Sequence, residues 1–274
     1  MNDLFELMLS AYPTGSQQER RNATYEVMQQ VVLAGLYRGG FFKEAALYGG
    51  TCLRIFHRLN RFSEDMDFSL LHKNPDFNFE TYFPAVIEEC RLLGREVVIT
   101  KKDKRNFGKV ESAFLKDNTD VYNLSFQTES SLKIKIEVDT LPPIDFQTEQ
   151  RVLMQPFSFM TRCIALPDLY AGKMHALVFR KWKTRIKGRD WYDFEWYVRH
   201  RVPLNFCHLQ TRVSEFNGIG LSRDSFMEML RERIASADIE QVKADVRPYL
   251  RDERELDIWS NDYFLQLADM MVFA

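Results

Sequence analysis

Two aspartates, Asp65 and Asp67, stand two residues apart where the chain enters the apolar stretch MDFSLL, shortly after Gly49-Gly50-Thr51. On an extended strand, residues i and i+2 share a face, so both carboxylates project together, with Ser63 and Ser69 on the same side. Carboxylates this close repel each other unless a cation lies between them, and hard divalent ions such as Mg²⁺ or Mn²⁺ take oxygen ligands. Upstream, Gly49 and Gly50 let backbone amides come close to a phosphate. Thr51 offers a hydroxyl as the N-cap of a helix, where anions are favoured. A glycine pair alone caps many turns, and an Asp-x-Asp alone is compatible with an ordinary polar strand face. Turn, helix and Asp-x-Asp in this order supply both halves of a metal–triphosphate site, with Gly49, Gly50, Thr51 and Ser63 on the nucleotide and Asp65 and Asp67 on the metal.

Such a site needs a third carboxylate on a neighbouring strand. In LKIKIEVD, residues 132–139, Ile134, Ile136 and Val138 alternate with Lys135, Glu137 and Asp139, so both acids lie on the polar face. Two-metal transfer would use Asp65, Asp67 and a third acid as ligands, one ion clamping the triphosphate and the other activating an acceptor hydroxyl. Glu137, central in the strand, is preferred as that acid, and Asp139 stays open as the alternative.

A further stretch, DLYAGKMHALVFRKWKTRIKGRDWYDFEWY, begins at Asp168. On its first helix Leu169, Lys173, Ala176, Leu177 and Arg180 share a face. An ammonium inside an apolar stripe is costly to bury without compensation. Contact with a triphosphate would supply it; snorkelling to solvent is the alternative. Asp190 and Asp193 lie in the first turn of the next helix, where the dipole favours negative charge; they could also orient the basic residues nearby. Six of the ten residues from Arg180 to Arg189 are basic. With Trp182 interleaved, Arg180, Lys183, Arg185, Lys187 and Arg189 form a candidate RNA surface, and Lys101 to Arg105 a second basic cluster. The alternative is an ordinary solvated face, or salt bridges within the fold, which would favour a small-molecule or protein acceptor instead.

The elements that must position these residues are readable in outline. Ser16 to Glu19 forms a capping box for a helix carrying Ala23, Val27, Val31 and Ala34, stopped at Gly39-Gly40. Ala45 to Tyr48 reads as a strand, Thr51 to about Leu59 as a helix, Met66 to Leu71 as a strand and Tyr82 to Leu93 as a helix. Further strands are expected at 96–100, 110–115, 121–127 and 132–138. Beyond about residue 165 the pattern turns helical throughout, with helices from Pro167 to about Lys183, from Asp190 to about His200 and from Ser222. The expectation is an α+β chain: an α/β lobe with a mixed sheet over 1–165, a helical lobe over 166–274, and the active site in a cleft between them.

Composition narrows the class. Of the 274 residues 45% are hydrophobic and 28% charged, as in ordinary globular proteins. No apolar run approaches the roughly 18–20 residues of a membrane span, and MNDLFELMLS, with two acids and no basic stretch, does not read as a signal peptide. A cytoplasmic protein with no membrane partner is expected. Cys52, Cys90, Cys163 and Cys207 form no CxxC, and the five histidines form no metal-ligand pattern. Cys207-His208 reads as structural.

GGTCLR, RFSEDMDFSL, KIEVDT and the stretch from Asp168, four motifs in order over about residues 45–200, resemble the AbiEii/AbiGii-type toxins, DNA polymerase β-like nucleotidyltransferases. The gap from Thr51 to Asp65 is longer than in the wider superfamily but fits this subgroup, and threonine stands where many members carry serine. The resemblance implies the toxin of a bacterial toxin–antitoxin or abortive-infection system, moving a nucleotide from an NTP to an acceptor such as the 3′ end of tRNA, with a cognate antitoxin as a possible partner. It implies that Gly50 and Thr51 hold the triphosphate, Asp65 and Asp67 bind Mg²⁺, Glu137 is the third acid, and Lys173 and Asp190 contact the nucleotide. Transfer to a protein or small molecule, and a non-catalytic nucleotide- or partner-binding protein of the same fold, are the rival readings.

Overall fold

The computed structural model describes residues 3–101, 119–126, 132–180 and 186–274. The chain divides into two compact units: Met1–His57 with Ser63–Ile144 and Thr148–Cys163, and Arg58–Phe62 with Asp145–Gln147 and Ile164–Ala274.

The first unit opens with α1 (Asp3–Leu9) and α2 (Gln17–Arg38). The capping box forms at α2: the Glu19 amide donates to the Ser16 hydroxyl, and the Ser16 amide donates to the Glu19 carboxylate. There follow β1 (Ala45–Tyr48), α3 (Gly49–His57), β2 (Met66–Leu70), α4 (Phe83–Leu92), β3 (Val97–Lys101), β4 (Thr119–Phe126), β5 (Lys133–Asp139), β6 (Thr148–Leu153) and β7 (Phe159–Ile164). Among the described residues the strands form one seven-stranded sheet in the order β3-β4-β5-β2-β1-β7-β6. It is mixed: β2 runs antiparallel to β1 and parallel to β5, and β1 runs parallel to β7. In β5, Ile134, Ile136 and Val138 are buried, while Lys135, Glu137 and Asp139 on the other face are half-buried. Phe41, Phe68, Phe79, Tyr82 and Tyr122 pack edge-on or tilted in the core.

The sequence reading differs in places. β6 and β7 were not expected, and the expected strand at 110–115 lies outside the described residues. Thr51 is not an N-cap, because α3 begins two residues earlier at Gly49, and α3 ends at His57.

His57 closes α3 beside Arg151 and Glu149, its Nε2 3.7 Å from the Glu149 carboxylate. Burial first, then the Arg151 guanidinium, pushes the imidazole from 6.5 down to about 4. Between those two values the unfolded chain takes up the proton and the folded chain does not. Stability contributed by neutral His57 is therefore present above about pH 6.5 and is lost as pH falls towards 4. The slope of urea-unfolding free energy against pH should flatten across this window in His57→Gln; an unchanged slope would remove His57 as its source.

The second unit holds α5 (Leu166–Phe179), α6 (Gly188–Arg199), α7 (Phe206–Asn217), α8 (Arg223–Ala235), α9 (Ile239–Val246) and α10 (Asn261–Asp269). It is not helical throughout: β8 (Pro203–Leu204) pairs in parallel with β9 (Val272–Phe273). Ser222 caps α8 as the sequence indicates. α5 ends at Phe179 rather than near Lys183, and 181–185 lie outside the described residues. At the start of α6 only glycine fits, since a Cβ on Gly188 would lie 2.0 Å from the Val242 carbonyl oxygen on α9. His208 is buried, its Nδ1 2.5 Å from Asp145, so a polar partner accounts for this histidine. Among the described residues no helix is long and apolar enough to cross a membrane.

Candidate active site

In the first unit, the segment entering β2 is fixed before the aspartates are reached. Gln29 of α2, fully buried, donates through Nε2 to the carbonyls of Ser63 at 3.0 Å and Glu64 at 3.1 Å. The buried Thr51 hydroxyl donates to the Asp65 carbonyl and lies 3.0 Å from the Ser63 hydroxyl. Thr51 and Ser63 are thus brought together, and both hold the backbone that presents Asp65. Gln29 was missed in the sequence because nothing about an amide on a long helix signals its distant partner. Arg54 of the GGTCLR segment is spent on Glu26 of α2, at 2.9 Å, which ties α3 to α2.

Asp67 sits in β2 directly opposite Glu137 of the parallel strand β5, and Ser69 opposite Asp139. Asp65 immediately precedes the strand, and the side chains of Met66 and Phe68 between and beyond the aspartates are buried. Asp67 Oδ2 also lies over Gly49: a Cβ built there would be 2.6 Å from it, and Gly49 has φ +75°. The first glycine of the motif therefore serves the carboxylate as well as the turn. Gly49→Ala should cost about 1–3 kcal/mol from the left-handed backbone alone and push Asp67 off its position. Thermal melting should show the loss; an unchanged midpoint would mean that the loop relaxes freely.

Asp139 is turned to a local task, accepting from the Leu141 amide at 3.1 Å. Glu137 is paired with Lys135, two residues back on the same face of β5. Burial lowers the affinity of the Lys135 ammonium for its proton, but Glu137 first, then Asp65 and Asp67, outweigh this and hold it above the usual lysine value. One lysine thus senses all three carboxylates. The donor set consists of carboxylate oxygens on two adjacent parallel strands, which is what a hard divalent cation takes. As the side chains stand, no group of three or more His, Cys, Asp or Glu among the described residues could hold a metal ion; beside Glu137 stands the ammonium of Lys135.

In the second unit the stretch from Asp168 builds a buried charge network. Lys173 Nζ lies 2.7 Å from Asp190 and 2.7 Å from Asp193. Asp193 also receives Arg61 Nε and Nη2, each at 2.7 Å, in a bidentate pair, and Asp190 receives Arg180 at 3.3 Å. Neither solvent nor a ligand is needed to compensate Lys173, because the two aspartates of the following helix do so. Burial alone would raise Asp190, yet Lys173, Arg180 and Lys187 hold it far below the usual carboxylate range; Arg61 and Lys173 do the same for Asp193. Lys187 is the opposite case: burial and the neighbouring Arg180 lower it. Around two carboxylates stand Arg61, Lys173, Arg180 and Lys187, a local excess of positive charge suited to an anion. Of the basic segment, Arg180 and Lys187 belong to this network and Arg189 stacks over Tyr249 at 4.4 Å; Lys183 and Arg185 lie outside the described residues. Most of the Lys101 to Arg105 cluster is likewise outside them.

The fold is similar to that of JHP933 from Helicobacter pylori, at 19% identity and a TM-score of 0.53 over 94% of this chain and 91% of that one. It is also similar to MenT4, a nucleotidyltransferase toxin from Mycobacterium tuberculosis, at 15% identity and a TM-score of 0.57 over 98% and 94%. The model of the family "Nucleotidyl transferase AbiEii toxin, Type IV TA system" matches residues 31–273, and the chain belongs to this family. No curated protein matches it.

Proposed function

We propose that this family member is a metal-dependent nucleotidyltransferase that moves a nucleotide from an NTP to an acceptor hydroxyl on RNA, the 3′ end of tRNA being the favoured acceptor, and that it acts as the toxin of its pair. The observation that carries the reading is the register of Asp67 against Glu137 on parallel strands, with Asp65 beside them and Gly49 beneath the Asp67 carboxylate. Asp65, Asp67 and Glu137 would hold Mg²⁺ or Mn²⁺; when bound, the ion would neutralise charge on the triphosphate and favour attack at the α-phosphate. Gly49, Gly50 and Thr51 supply the turn and helix N-terminus for the triphosphate, with Ser63 anchoring Thr51. Glu137 would accept the proton of the acceptor hydroxyl; Asp139, occupied by the Leu141 amide, is the less suited of the two. Lys173 and Asp190 are proposed to contact the nucleotide, the excess positive charge around them favouring phosphate. A cognate antitoxin is proposed as a partner, which membership of a type IV toxin–antitoxin family supports.

A second acceptor class keeps a specific argument. Arg180 and Arg189 are engaged within the fold, which weakens the case for an RNA surface there and favours a protein or small-molecule acceptor. Incubating the protein with Mg²⁺, each α-labelled NTP in turn and total cellular RNA or protein separates the two. Label in RNA with wild type, absent with the Asp65→Ala/Asp67→Ala variant, is the expected result. Label in protein only would move the acceptor, and label in neither would remove the RNA and protein readings together.

A further inference from the structure

Lys135 lies on the carboxylate face and has no part in the transfer chemistry above. It alternates with Ile134 and Ile136, so its side chain leaves β5 on the same face as Glu137, with which it forms an ion pair. Across the parallel β2–β5 register Glu137 faces Asp67, so the ion pair sets the lysine's charge at the carboxylate next to Asp67. Three carboxylates drawn to one face would repel one another and favour uptake of a proton or a free divalent ion. A lysine on a strand residue cannot diffuse away, so it supplies one positive charge at all times.

We infer that Lys135 is a tethered counter-ion that opposes capture of free divalent metal by Asp65, Asp67 and Glu137, so that the ion enters with the nucleotide rather than before it. The inference rests on the reading of these carboxylates as the metal site. The physical basis is Coulombic: a divalent ion arriving among the three carboxylates must displace the ammonium from Glu137 or share that oxygen with it, and repulsion between nearby cations at partly buried sites is strong. A triphosphate brings enough negative charge with the ion to offset that repulsion. Lys135 is on this account a positioning residue; it need not touch the reacting atoms.

Titration of nucleotide-free protein with Mn²⁺, followed by electron paramagnetic resonance of the free ion, tests this directly. Lys135→Met keeps the aliphatic stem and removes the charge, and should bind Mn²⁺ at least tenfold more tightly than wild type. Lys135→Arg, which restores the charge, should return the affinity to the wild-type value, a rescue that a purely packing role would not produce in this readout. Adding Glu137→Gln to Lys135→Met should abolish the gain. Should Lys135→Met fail to fold, Lys135→Gln carries the same prediction. Equal Mn²⁺ affinity in wild type and Lys135→Met, with both weakened by Asp65→Asn/Asp67→Asn, would overturn the counter-ion role and leave the metal site standing. No Mn²⁺ binding in any variant, with or without an NTP analogue, would overturn both.

Discussion

Asp193→Ala should lower the stability of the second unit by about 3–5 kcal/mol, the usual cost of leaving a buried charge without its partner. The size follows from what Asp193 holds. It takes the two-pronged contact from Arg61 and one contact from Lys173, and it is fully buried. Removing it leaves two cations with only Asp190 between them, and Asp190 already serves Arg180. Replacing the whole cluster by apolar residues could be nearly neutral, but removing one member is not. The four tryptophans all lie between residues 182 and 259, and the described ones, Trp191, Trp196 and Trp259, belong to the second unit, so tryptophan fluorescence during urea unfolding reports on it. A loss under 1 kcal/mol would mean that water or a rearranged Asp190 takes over. The network also sets an acid limit. Both aspartates are held below their ordinary values, so their stabilisation is present above about pH 4, the unfolded value, and is lost as pH falls through the lowered folded values.

Asp67→Asn should reduce nucleotidyl transfer about 10³-fold while leaving the fold intact. Asparagine preserves shape over Gly49 and keeps an oxygen for hydrogen bonding, but it removes the charge that would share the metal with Asp65 and Glu137. A thousandfold loss corresponds to about 4 kcal/mol of transition-state stabilisation, the scale expected when a metal's hold on the triphosphate is weakened. Glu137→Gln should act in the same direction, whereas Asp139→Asn, at a residue occupied with the Leu141 amide, should cost less. Measured initial rates under saturating NTP, with circular dichroism to confirm the fold, separate these. Activity within tenfold of wild type in Asp67→Asn would displace the reading of this site.

Much of the first unit was legible because its signals are local. The Ser16–Glu19 box is four residues long, and the alternation through β5 names its own buried face. The spacing of Asp65 and Asp67 needs only the period of a strand. The start of α3 was misread because Thr51 looks like a cap, while the helix already begins at Gly49, whose positive φ belongs to the turn out of β1. β6 and β7 were missed because TEQRVL and FMTRCI show no clean apolar period; along β6 half-buried and exposed residues alternate at the sheet edge with no buried face. What the sequence could not display was pairing at a distance. Lys173 was readable as a lysine in need of compensation, but its partners are on the next helix, 17 and 20 residues on. Arg61 is separated from Asp193 by 132 residues, and neither carries a local sign of the other. Lys135 was visible only as a polar residue on the right face; its relation to Asp67 depends on the register of β2 against β5.

The reaction class is tested most directly by parallel assays with NTP labelled at the α- or the γ-phosphate, in Mg²⁺, with cell extract supplying every acceptor class. The account predicts that α-label enters the product, that γ-label leaves as pyrophosphate and never does, and that Asp65→Asn/Asp67→Asn abolishes both events. Transfer of γ-label, or α-label incorporation undiminished in the double variant, would contradict it.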